Sequence, residues 1–186
     1  MTELLTGIGQ VTELHLVNGL IVVLACVGQL DLARTGKGLF LAAMLALGHG
    51  LWIMMSWFAI ADSMGMWSQM LLPIVASVCV IWNINQASQR RGSGAGMFAM
   101  SVLMGLMLGM TIGSPFSSAQ GFGADVVADH FMFWLGIAIG LALLTAVVLS
   151  IGSLMRGFRI SERDQGYLIC GGVWFQCVVL IVQELL

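Results

Sequence analysis

From Leu39 to Ala61 the chain reads LFLAAMLALGHGLWIMMSWFAIA, without one Asp, Glu, Lys or Arg. A helix crosses the hydrocarbon core of a bilayer with about 20 mainly apolar residues, each rising about 1.5 Å. Six segments meet that need: 14–33, 39–61, 67–87, 97–114, 130–154 and 166–185. Inside lipid every backbone N–H and C=O must be paired within its own segment, so these runs predict helices rather than strands. They are also too long to be confused with buried strands. The expected fold is an all-α integral membrane protein with six transmembrane helices, forming a single transmembrane domain over residues 1–186.

Composition points the same way. Hydrophobic residues make up 59% of the 186 and charged residues only 9%, for a mean hydropathy of +1.00. A soluble domain carries about a quarter charged residues to keep its surface wet. The lipid bilayer is therefore the first partner. A net charge of −2 with no basic stripe excludes a nucleic-acid partner. No basic region precedes an early apolar run, since the first cationic residue is Arg34, so no cleavable secretory signal is expected.

The seven cationic residues fix an orientation. Arg34 and Lys37 lie between the first and second spans, Arg90 and Arg91 between the third and fourth, and Arg156, Arg159 and Arg163 between the fifth and sixth. All three connections are on one side, which the positive-inside rule assigns to the cytoplasm. The N-terminus and C-terminus then face the outer, periplasmic side of a bacterial inner (cytoplasmic) membrane. Glu3, Glu13, Asp62, Asp125, Asp129 and Glu184 gather on that side. Trp57, Trp67 and Trp134 fall near the outer interface and Trp82 near the inner one, as amphipathic indoles prefer.

Ahead of the first span, Leu4, Leu5, Ile8, Val11 and Leu14 recur at helical spacing. Residues 2–12 are read either as a helix along the outer interface or as an extension of the first span. The cationic hairpins RTGKGLF, RRGSGAGMF and RDQGYL share an Arg–Gly–large-residue order. That order is what any short inner loop looks like, or the trace of a triplicated two-helix unit. The longest connection, 113–129, reads as an outer loop that binds a partner or dips into the membrane.

Small residues mark where helices approach. Gly105, Gly109 and Gly113 repeat every fourth residue as a glycine-zipper ridge, and Gly136 with Gly140 and Ala42, Ala46 with Gly50 add others. On the opposite face of the fourth span lie Met97, Met100, Met104, Met107 and Met110. Methionine is an adaptable filler on such a face. Its thioether is also a soft Cu(I) ligand, so a copper path with His15, His130, Met64, Met66 and Met70 is the sharper alternative. Cys26, Cys79, Cys170 and Cys177 form no C-x-x-C pair and read as packing residues.

Three histidines remain. His15 and His130 each begin an inward-running span, so they are expected to face each other near the outer surface. Two imidazoles at one depth are what a b-type haem requires, and Asp125 and Asp129 would extend the pair to a proton or zinc site. His49, between Gly48 and Gly50, is expected to be buried and hydrogen-bonded to a neighbouring helix, and Asn83 and Asn85 to act as interhelical glue. No phosphate loop, nucleophile–base motif or H-E-x-x-H occurs, and no carboxylate or cation sits at mid-span. The reading is thus a non-enzymatic subunit of an oligomeric transport, channel or secretion-type assembly, without a cofactor, contacting copies of itself or other membrane subunits. The alternative is an intramembrane haem- or metal-binding electron-transfer protein using His15 and His130.

Overall fold

The computed structural model describes residues 2–27, 35–57, 68–88, 95–113, 123–158 and 160–185. Among them there is no strand. The helices are α1 (Thr2–Gly9), α2 (Leu16–Val27), α3 (Thr35–Trp57), α4 (Ser68–Ser88), α5 (Ala95–Ile112), α6 (Ala124–Gly157) and α7 (Glu162–Leu185). Among the described residues three helical stretches are long and apolar enough to cross a membrane: Lys37–Ser56, Ala124–Met155 and Asp164–Gln183. A fourth is added if the bent pair Thr2–Leu14 and Leu16–Cys26 counts as one. Within α4 and α5 the apolar parts, Met70–Asn85 and Phe98–Ile112, are shorter.

Short α2 is the hub. It touches α3, α4, α5, α6 and α7 and buries Ile21, Val22, Val23, Ala25 and Cys26. Around it α6, α3, α5, α4 and α7 pack in that order, and α6 meets α7 only sparingly. Helix directions follow from single contacts. The edge-to-face pair Phe40–Phe98, with centroids 4.8 Å apart, sets α3 parallel to α5. Trp134 Nε1 donates to the Ala46 carbonyl at 2.7 Å while Gly38 meets Leu149, so α6 runs antiparallel to α3. Asn83 Nδ2 donates to the Ala25 carbonyl at 2.5 Å, joining the C-terminal ends of α4 and α2.

Close approach is bought by glycine, though not by the ridge that the spacing suggests. A Cβ on Gly105 would overlap the Leu45 carbonyl, and one on Gly48 the Val102 carbonyl, so α3 and α5 touch backbone to backbone. Gly109 lies against Trp52, where a Cβ would sit 2.7 Å from the Trp52 Cβ. Gly113 does not continue the contact. Nothing lies within 4 Å of a Cβ there, and its φ of +73° with Gly113 N–H bonded to the Gly109 carbonyl makes it the helix terminator. Gly136 and Gly140 receive α1 and the turn after it: a Cβ at Gly136 would overlap the Leu4 carbonyl, and one at Gly140 would lie 3.1 Å from the Val11 Cβ.

The N-terminal segment is neither a straight extension of the first span nor free of the bundle. It turns through 81° between Leu14 and Leu16. A π-turn over Gln10–Leu14, closed by His15 N–H on the Gln10 carbonyl at 2.8 Å, makes the break. One further expectation changes. Residues 124–129, read as part of a loop, are the opening turns of α6, while 114–122 lie outside the described residues. The methionine face of α5 fits the filler reading, because Met104 is fully buried. With α3 on one side of α5 and α2 and α4 on the other, both of its faces are interior.

Candidate functional site

His49 sits where α3, α5 and α6 meet. Gly48 lets α5 come within backbone contact, and Gly109 of α5 then faces the ring so closely that a Cβ would lie 3.1 Å from Nδ1. Phe133 of α6 covers another side, its ring centroid 6.5 Å away at 45°. The side chain is 0% exposed. Among the described residues neither ring nitrogen has a hydrogen-bond partner, contrary to the bond expected from its place in the sequence. The reason is the company it keeps. Glycine backbone, an aromatic ring and helix carbonyls already engaged within α5 offer it nothing to bond. One turn on, Trp52 flanks the other side of Gly109, 4% exposed, and its Nε1 is also unpartnered.

The antiparallel register of α3 and α6 brings a second histidine near. With Ala46 bonded to Trp134 and His49 against Phe133, His130 lies one turn further, at the depth of Trp52. His130 is buried, and its Nδ1 is 2.7 Å from the carbonyl of Val126 in its own helix. His15 is elsewhere. The chain on either side of it packs at Gly140, through Val11, and at Leu144, through Gly19. That is ten or more residues along α6 from His130, about 15 Å of helix rise. The structure therefore does not bring His15 and His130 together as haem ligands; the histidine sharing His130's end of the bundle is His49.

Other candidates resolve as packing. Among the described residues no three His, Cys, Asp or Glu side chains form a set that could hold a metal ion. Met64 and Met66 lie outside the described residues. All four cysteines are free and buried, and Cys79 Sγ donates to the Ala25 carbonyl at 3.7 Å. Asn83 is 2% exposed and is a true interhelical bond, whereas Asn85 is exposed, since two residues on a helix turn through about 200°. Asn83→Leu is expected to lower stability in detergent by about 1 kcal/mol and Asn85→Leu by less, measured as thermal midpoints.

Sequence reasoning missed Gly7, Gly48 and Trp52 and placed Trp134 only in an interfacial belt. Small residues occur at 42, 43, 46, 48 and 50 of α3, and spacing alone does not select the face that α5 uses. Comparison with protein-family models, curated proteins and solved structures finds no match to this chain.

Proposed function

We propose that the chain is a six-span, non-enzymatic inner-membrane protein that works as a subunit of an oligomeric transport, channel or secretion-type assembly. The observation that carries the assembly reading is the uneven burial of its helices. Half of the apolar window of α3 and of α6 is buried, but only 22% of that of α7. Trp174, Phe175, Val178 and Val182 point outward there, beside Gly171 and Gly172, around which a Cβ would meet nothing within 4 Å. Uncovered small residues next to large apolar ones suit contact with another helix, because association in lipid depends on close van der Waals packing. The broken helix at α1–α2 supports a transport role, since discontinuous helices place unpaired backbone groups at solute sites.

The test is size in mild detergent. Wild type is expected to run as a multimer or with co-purifying membrane subunits, and Gly171→Leu to shift it to a smaller, still folded species. A monodisperse single chain unaffected by Gly171→Leu defeats the assembly reading.

Orientation belongs to the same proposal. Helix directions gather the C-terminal ends of α2 and α4 with the N-terminal ends of α3 and α5, at the end where α6 finishes. Lys37, Arg156 and Arg163 lie in the end turns of α3, α6 and α7, and the connections containing Arg34, Arg90, Arg91 and Arg159 join helix ends in sequence. Cysteines introduced at Gly94 and Ser161 in a cysteine-free background should label from the cytoplasm, and one at Ser118 from outside. The opposite pattern would invert the topology.

A further inference from the structure

We propose that His49 is a proton-binding site whose occupancy competes with the packing of α3 against α5 and α6. This goes beyond the assembly reading and stands whatever the chain assembles with. Imidazole is the one side chain whose ordinary titration lies near neutral pH. Intramembrane ionisable residues are rare because they are costly, and they normally face a partner or a water-filled path. Among the described residues His49 has no partner for either ring nitrogen; it is 0% exposed, and Gly109 faces Nδ1 so closely that a Cβ there would lie 3.1 Å away.

Proton uptake needs no other reactant: the ring's unprotonated nitrogen takes one proton, and the imidazole becomes an imidazolium. Among the described residues that charge would have no counter-charge in reach. Helix α5 contains no Asp, Glu, Lys, Arg, His, Cys or Tyr at all. On α6 the titratable groups are Asp125, Asp129 and His130 before Phe133, and Arg156 at the far end. The two carboxylates are exposed, and the buried His130 supplies no negative charge. On α2 there is only Cys26, also buried, with His15 just before the helix; on α3 itself Lys37 is about three turns from His49. An imidazolium here can be solvated only if water replaces the glycine contact, which means moving α5 away from α3. Holding the proton and holding the contact are therefore mutually exclusive.

The sign follows from linkage. The packed contact excludes the charged ring, so lower pH favours the state in which α5 has moved away, by up to about tenfold per pH unit. Trp52 and Trp134 border the site and report on it. The experiment follows tryptophan fluorescence of the intact protein in nanodiscs as pH is lowered from about 8 to about 4.5. Wild type should show a reversible change, His49→Leu should abolish it, and His130→Leu should retain it. His49→Gln, polar but not titrating in this range, repeats the comparison if the leucine variant does not insert. A flat wild-type profile overturns the proposal, and so does a change that survives in both His49 variants or one that His130→Leu removes.

Discussion

Gly105→Ala, the smallest side chain that can be added at that position, is expected to cost on the order of 3 kcal/mol and to spread or unfold the bundle. The new methyl would fall on the Leu45 carbonyl, a backbone atom with no rotamer to retreat into. Gly48→Ala meets the Val102 carbonyl in the same way, so the two helices would have to separate along their length. Separation is costly here because lipid supplies as good an apolar solvent as the partner helix, leaving close packing as the main attraction. The control is Gly172→Ala, where a Cβ meets nothing within 4 Å. There the helix propensity of alanine should raise stability by up to about 1 kcal/mol. Thermal unfolding of the three variants in one detergent decides the matter, and equal midpoints would mean that α3 and α5 do not touch as described.

The second large effect has the opposite sign. His49→Leu, at a buried position that carries a polar ring, should stabilise the protein by about 1–3 kcal/mol at neutral pH. Removing one member of a hydrogen-bonded pair strands the other, but His49 bonds to nothing, so its loss strands nothing. Leucine fills a similar volume and relieves the cost of keeping two polar nitrogens in an apolar contact. Met104→Ala, by contrast, would open a cavity inside the bundle and should cost about 2–5 kcal/mol. A measured loss of stability in His49→Leu would reveal a bonded partner for the ring.

Helix, rather than strand, was decided by composition. Apolar runs such as 39–61 must satisfy their own backbone, and α3, α6 and α7 are long apolar helices as expected. The burial of Asn83 and of His49 was legible for a similar reason: a polar side chain within an apolar run turns toward protein. Which groups such residues meet was not legible. Asn83 found the Ala25 carbonyl, 58 residues away, because α2 happens to end beside α4, and His49 found glycine and phenylalanine because α5 and α6 close over it.

Helix directions were likewise open to sequence, since each apolar run alternates with the last; helix neighbours were not. A bilayer-sized helix is apolar on every side, so its pattern does not distinguish a face that meets lipid from one that meets another helix. The methionines of α5 lie opposite the glycines, yet Met104 is buried as Gly105 and Gly109 are; the third glycine of the ridge looked like a contact and Gly113 proved a terminator. The same ambiguity paired His15 with His130 by their shared place at the start of a span. Only the π-turn, which bends the first span by 81° and carries His15 down α6, separated them and left His49 and Trp52 at His130's end. Sequence determined that the chain is built of apolar helices and which residues interrupt them. Tertiary structure decided which of those residues meet, because contacts between helices depend on register and bend, and neither is encoded in the hydropathy of a single run.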